Sequence, residues 1–406
     1  MSHVYFASAP AAWVKHHKEI LSQPSDENLI QMDKMIKWAT SCGVANETGV
    51  RKSFNKLNAY VYLRCMYPLV PPDPWSAEMF RINLHFTTVG YIVDDRIEGY
   101  TMEEMTELCD AYDMLEREIK DKFPDCPSIE DMNNSLQLVR NKFSRAAVTM
   151  VMDFVNQSAL FFLRQGKTSR ERVTNFRRRL SNAVTIYYQA IRNKVKMGSH
   201  VSEGEMLWRR CFDVLAVPSY LAPESFTAAI ETGEWPIREL YELYIFGILY
   251  STVINDLYSF HREKLNNCDN VIKVWFREES VSSIHEANEK ICQILDAIMQ
   301  YMYQKIEETK AKYRQSQELK ALLDYTGYVT AGWIFVHNKA APRYLESPYQ
   351  ITLKEIPDAE ISGWLKSKTP FGWSVIDRFI DKMNSAKGKA VMDALCGFTD
   401  GNGVLM

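Results

Sequence analysis

Residues 237–264 read IRELYELYIFGILYSTVINDLYSFHREK. From Tyr244 to Ile254 nearly every residue is apolar, and the polarity does not alternate. A run of this length predicts a helix rather than a strand, and one that a surrounding bundle must bury. The composition then changes along one line. Asn255, Ser259 and Glu263 fall at i, i+4 and i+8, so they share one helix edge. An amide, a hydroxyl and a carboxylate in a row can chelate a hard cation and leave room for phosphate oxygens. Lys264 follows at once and is within reach of a phosphate. The other reading of this edge is a helix emerging into solvent, and these residues alone do not choose between the two.

Other segments carry the same helical period. Ser76–Glu98 repeats Met79, Ile82, Phe86, Val89, Ile92 and Val93 at three- and four-residue steps. Ser76 is a fitting N-cap and Gly99 a fitting stop. Further helices are predicted over 101–122, 133–163, 168–195, 202–217, 281–309 and 317–338. A weaker pattern runs over 29–39. Segments that alternate like strands are absent from this reading, as are internal repeats. The expectation is an all-α protein, a single helical bundle domain. Residues 1–59 read as a helical segment packed on the core, 60–345 as the core domain, and 346–406 as an extension forming a lid or an edge helix.

A second constellation ends the helix at 76–98. Asp94, Asp95 and Glu98 sit in its last turn, in the run DDRIE. The negative end of a helix dipole makes each acid there unfavourable by about 0.3–1 kcal/mol. A like charge four residues away adds a few tenths of a kcal/mol. A divalent cation would reverse the sign of that local balance; a solvated acidic turn held by Arg96 is the plainer alternative. A third element is cationic. Arg209 and Arg210 precede Asn255, while Arg343 and Tyr344 follow it. The arginine fork suits phosphate because it donates two parallel hydrogen bonds.

DDRIE, the Arg209–Arg210 pair, NDLYSFHRE and Arg343–Tyr344 occur in the order of the class I terpene cyclases. Over roughly residues 60–345 the chain resembles the microbial-type enzymes of that family, and its length and tail lean toward the octocoral-like group. The resemblance implies three Mg²⁺ ions. Asp94 and Glu98 would serve the first metal site, with Asp95 either a further ligand or the partner of an arginine. Asn255, Ser259 and Glu263 would hold the third ion. Arg209 or Arg210 would sense the diphosphate; spacing does not choose, although Asp213 is placed to pair with Arg210. Arg343 and Tyr344 would bind the diphosphate as well, with Lys264 beside them. His337 stands where many relatives carry Trp. Phe80, Phe86, Tyr91, Phe154, Tyr187, Phe246 and Trp333 are candidate cavity walls, each with core filling as its alternative.

Composition excludes other classes. The 48 basic and 51 acidic residues give a net charge of −3, with no domain-scale basic excess for nucleic acid. The basic run 170–179 (RERVTNFRRR) reads as a solvated helix face. Eight cysteines form no CxxC pair, which suits a reducing compartment. The start MSHVYFASAP lacks the form of a signal peptide, and no stretch of eighteen apolar residues occurs. A cytoplasmic enzyme without stable membrane insertion is expected, and a homodimer is compatible with it.

A trans-prenyltransferase would share the fold but carries a second DDxxD; here that slot reads NDLYS. A di-iron bundle needs Glu-x-x-His pairs, and none of the eight histidines has a Glu three positions before it. A non-catalytic helical scaffold is the remaining alternative. For the substrate, small residues beside both motifs (Thr87, Thr88 and Gly90; Gly247, Ser251 and Thr252) point to geranylgeranyl diphosphate, with farnesyl diphosphate next.

Overall fold

The computed structural model describes residues 3–17, 26–57, 85, 90, 92–93, 96–97, 99–164, 166, 169–197, 201–214, 216–217, 220, 224, 236–263, 270–340, 342–401 and 403–404. Helices dominate. The order is β1 (His3–Pro10), α1 (Ala11–Val14), α2 (Asp26–Cys42), α3 (Glu47–Leu57), α4 (Met102–Ile119), α5 (Ile129–Ser135), α6 (Lys142–Arg164), α7 (Arg170–Met197) and α8 (Glu203–Arg210). Then come α9 (Ile237–Glu263), α10 (Val271–Arg277), α11 (Ile284–Lys312), α12 (Gln317–Phe335), a π-helical turn (Val336–Ala340), α13 (Pro342–Leu345), β2 (Tyr349–Ile356), α14 (Ile361–Lys366), α15 (Pro370–Asn384) and α16 (Ala386–Leu395). The all-α expectation holds for the bundle.

Helix α9 is its axis. Apart from Asn255, every residue from Leu243 to Ser259 is buried. It packs on α11 and α12 along its length, and on α8, α10 and α16 at its sides. Helices α4, α6 and α7 form a second packed group. Local signals set the boundaries where they are strong. Thr101 and Glu104 close a capping box at the start of α4, and Ser283 caps α11 through the Glu286 amide. Helix α6 is long and apolar enough to cross a membrane by length and composition, but 83% of that window is buried inside the fold.

Four expectations need correction. The helix predicted over 133–163 is two helices, α5 and α6. Asn141 breaks it: its side-chain oxygen accepts from the Phe143 and Ser144 amides, while Glu107 accepts from the Arg140 and Asn141 amides. The helix predicted over 202–217 ends at Arg210. There the Phe212 and Asp213 amides turn back onto the Arg209 carbonyl. The basic run is only partly solvated. Arg177 and Arg179 are buried, on Glu116 and Glu224 respectively; two apart on α7, they leave nearly opposite faces of the helix, and packing covers both.

The fourth concerns the two ends of the chain. Residues 3–10 form a strand, not a helix, and it pairs in parallel with β2, with His3 opposite Tyr349 and Pro10 opposite Ile356. The segment before the core and the segment after it are thus joined in one sheet, which packs through β1 on α11. The rest of the tail lies against the bundle, with α15 on α11 and α16 on α7 and α9.

The β1–α11 contact makes a pH prediction. The Asp296 carboxylate on α11 accepts a hydrogen bond from the Ser8 amide, and burial pushes its pKa up to about 6. A pKa raised on folding means stability that is present below the unfolded value and lost as pH rises through 6. Compared with Asp296→Asn, the wild-type chain should gain on the order of 2 kcal/mol between pH 8 and pH 4. Urea unfolding at several pH values measures this, and a difference independent of pH would rule it out.

Candidate active site

The C-terminal half of α9 carries the polar line. The step from Asn255 to Glu263 rises about 12 Å along the axis. Asn255 donates from Nδ2 to the Tyr344 hydroxyl at 2.7 Å, and its Oδ1 accepts from Arg210 Nη2 at 3.4 Å. Ser259 is fully buried and its hydroxyl has no hydrogen-bond partner among the described residues. Leaving such a group unsatisfied costs roughly 1–3 kcal/mol. Glu263 accepts from Asn270 Nδ2 at 3.0 Å.

Arg210 stands at the end of α8 with its side chain buried. Nη1 donates to Asp213 at 2.9 Å, and Nη2 to Asp256 at 2.9 Å besides Asn255. Arg209, the neighbouring residue, is also buried and reaches the Met206 sulfur at 3.9 Å. Successive helical residues point about 100° apart, so the two guanidinium groups leave α8 in different directions.

Asp256 was not among the expected site residues. Its second oxygen accepts from the Val271 amide at 2.7 Å, at the start of α10. Burial pushes its pKa up to about 6, against the pull of Arg210. Asn270 was missed too. It caps α10 through the Ile272 amide and donates to both the Asp256 carbonyl and Glu263. An Asn just before an apolar run is an N-cap signal, and that much was readable in the sequence.

Tyr344, on α13, lies under several groups. Its ring is 4.2 Å from His337, and the Arg262 guanidinium sits 5.8 Å over it. His337 is buried within the π-helical turn, and its Nδ1 is 2.8 Å from the Trp333 carbonyl. Trp333 donates to Tyr220 at 3.3 Å. Arg210, Asn255, Tyr344, His337 and Trp333 therefore form one connected set. Arg343 lies on α13 next to Tyr344. Asp94, Asp95, Glu98 and Lys264 lie outside the described residues, as do Phe80, Phe86, Thr87, Thr88 and Tyr91. Their flanks Ile92, Val93, Arg96 and Ile97 are helical. Among the described residues no group of three His, Cys, Asp or Glu side chains is placed to hold a metal.

Two cavity expectations change. Phe246 faces Tyr301 of α11 at 4.3 Å and Phe379 of α15 at 5.3 Å, so it fills the seam between α9 and those helices. Gly247 is a close-packing residue. A Cβ there would lie 2.3 Å from the Tyr220 hydroxyl and 2.8 Å from Thr330 Oγ1, so this glycine opens no room for a longer chain. Phe154, Tyr187 and Trp333 are buried.

Neither a family model nor a curated protein sequence matches the chain. Solved structures do. A double mutant of the SVS_A2 protein from ancestral sequence reconstruction matches with a TM-score of 0.58 at 15% identity, over 95% of this chain and 100% of that one. The 2-methylisoborneol synthase of Streptomyces coelicolor, solved with Mg²⁺ and 2-fluoroneryl diphosphate, matches with a TM-score of 0.55 at 14% identity, over 82% and 95%. Hedycaryol synthase matches with a TM-score of 0.53 at 16% identity, over 83% and 97%. The chain has the class I terpene synthase fold. At these identities the likeness extends to the fold and no further.

Proposed function

We infer that the chain is a class I terpene cyclase, which ionises a linear prenyl diphosphate, closes the carbocation into rings and releases pyrophosphate. The observation that carries this reading is the buried Ser259 hydroxyl, without a hydrogen-bond partner among the described residues, in line with Asn255 and Glu263 on a helix of this fold. A hydroxyl left without a partner beside an amide and a carboxylate suits a hard cation, so these side chains fit Mg²⁺. Asn255, Ser259 and Glu263 would hold one ion, and Asp94, Glu98 and Asp95 the other two. When bound, the ions supply positive charge to the departing diphosphate.

The chain's own residues do the rest. Arg210 is taken as the diphosphate sensor because it joins Asp213 to Asn255 in one network. Tyr344 offers a neutral hydroxyl at the same place, and Arg343, Arg209 and Lys264 would serve as further donors to the diphosphate. Trp333, Tyr187 and Phe154 are aromatic surfaces suited to a cation, which a ring face attracts. Excluding water from around these rings would keep the cation from being quenched as an alcohol.

Geranylgeranyl diphosphate remains the favoured substrate, ahead of farnesyl diphosphate, within an octocoral-like diterpene reading. Its support is now narrower: Ser251 is small, whereas Gly247 is packed. A cytoplasmic enzyme, free of nucleic acid and of stable membrane insertion, and compatible with a homodimer, belongs to the same reading. The test is incubation with geranyl, farnesyl and geranylgeranyl diphosphates, with Mg²⁺ or with EDTA, read by gas chromatography and mass detection. Cyclic product from the C20 diphosphate with Mg²⁺ alone is expected. Full activity in EDTA, or a higher kcat/KM for farnesyl diphosphate, would overturn the metal assignment or the substrate preference respectively.

A further inference from the structure

The segment 339–350 carries Arg343 and Tyr344, and its two ends meet. Asn338, in the π-helical turn, donates from Nδ2 to the Ile351 carbonyl at 2.8 Å. The Ile351 amide donates to the Tyr258 hydroxyl at 2.8 Å, and that hydroxyl donates in turn to Asn338 Oδ1. Both backbone groups of Ile351 are therefore taken by these two side chains. Tyr258 is buried on α9, between Asn255 and Ser259 in sequence. On the far side, Ile351 pairs with Tyr5 of β1, so the first strand of the chain completes the closure. The rings agree with this arrangement: Tyr258 lies 5.3 Å from His337 and 6.4 Å, edge-on, from Tyr344.

We propose that Tyr258 and Asn338 are positioning residues: with the β1–β2 sheet they close the base of segment 339–350 and hold Tyr344 against Asn255. The physical argument is entropic and geometric. A segment of this length without a fixed base samples many conformations, and each residue left free must be ordered when a ligand binds. Anchoring its base on α9, the helix that bears Asn255, keeps the Tyr344 hydroxyl in register with the polar line. The π turn adds a residue to the helical path, a device often found beside functional sites. It places His337 against Tyr344 and Asn338 against β2 within one turn. The sheet has a role in this as well. It links residues 3–10 to a site that lies hundreds of residues later in the chain.

The part that concerns diphosphate rests on the cyclase reading above; the closure itself does not. The experiment therefore has two arms on the full chain. Hydrogen exchange without ligand compares peptides covering 339–351 in wild type, Tyr258→Phe and Asn338→Ala. Both variants should exchange faster there, with α11 unchanged. Calorimetry with pyrophosphate and Mg²⁺ then compares wild type, Tyr258→Phe, Tyr344→Phe and the double variant. Tyr258→Phe should weaken binding about tenfold, as loss of one buried hydrogen-bonded network does. The double variant should be little worse than Tyr344→Phe alone, because Tyr258 acts through Tyr344. Unchanged exchange in both variants overturns the closure. Additive losses, or unchanged affinity in Tyr258→Phe, overturn the positioning role. A wild-type chain that binds no pyrophosphate with Mg²⁺ overturns the cyclase reading, and the exchange arm still judges the closure. If Tyr258→Phe fails to fold, Asn338→Ala breaks the same closure from its other side and takes its place in both arms.

Discussion

Asn255→Ala is expected to lower turnover of a prenyl diphosphate by about a hundredfold or more, the usual scale for removing a group that stabilises developing charge. Asn255 sits where three lines cross. It donates to Tyr344, accepts from Arg210 and continues the edge that bears Ser259 and Glu263. Alanine removes two hydrogen bonds from a partly buried position, so folding should lose only about 1–3 kcal/mol. The helical circular-dichroism signal should therefore persist while product disappears. Product formation followed by gas chromatography, beside a thermal melt, separates the two effects. Turnover at the wild-type level would remove Asn255 from the proposed metal site; lost turnover with lost helicity would assign it to the fold instead.

The largest expected effect on stability lies elsewhere in the bundle. Arg179 and Glu224 are buried, with Nη1 of Arg179 2.7 Å from the Glu224 carboxylate. Tyr244 also donates to Glu224, and Arg179 lies over the rings of Phe176 and Tyr241. Glu224→Ala leaves the guanidinium buried without its counter-ion. Breaking one side of a buried pair costs about 3–5 kcal/mol, whereas replacing both sides by apolar groups of similar volume is often neutral. The single variant should thus melt several degrees lower, and Arg179→Met with Glu224→Leu should recover most of the loss. Denaturant titration of the three chains measures this. A single variant as stable as wild type would mean that water or a rearranged neighbour compensates Arg179.

Both residues of that pair show where sequence reading stops. Arg179 belongs to a basic run, and such runs are usually solvated. Its burial depends on an acid 45 positions later in the chain, brought to it by the packing of α7 against the rest of the bundle. The break between α5 and α6 is a milder case. Asn141 is a good N-cap residue, but the surrounding period is continuous, and the acid that accepts the two amides, Glu107, comes from α4. The strand β2 carried an alternating signal of its own in YQITLKEI: Tyr349, Ile351 and Leu353 are wholly or partly buried, and Gln350, Thr352 and Lys354 between and after them are exposed. What could not be read was its partner, because parallel pairing leaves no local mark and β1 lies at the other end of the chain.

The sequence by itself determined the parts whose physics is local. The long apolar run of α9 had to be a buried helix, and a four-residue spacing had to put Asn255, Ser259 and Glu263 on one edge of it. The caps at Thr101 and Ser283 rest on the same short-range chemistry, although the helix predicted from 281 begins only at Ile284. The tertiary structure alone decided which arginine meets Asn255, because Arg209 and Arg210 are adjacent and only the direction of α8 separates them. It also decided that Gly247 is filled by Tyr220 and Thr330 rather than left open, and that the chain's first strand buttresses the segment bearing Tyr344. Each of these depends on side chains that the fold brings together from distant positions, and no periodicity along a single segment encodes such a meeting.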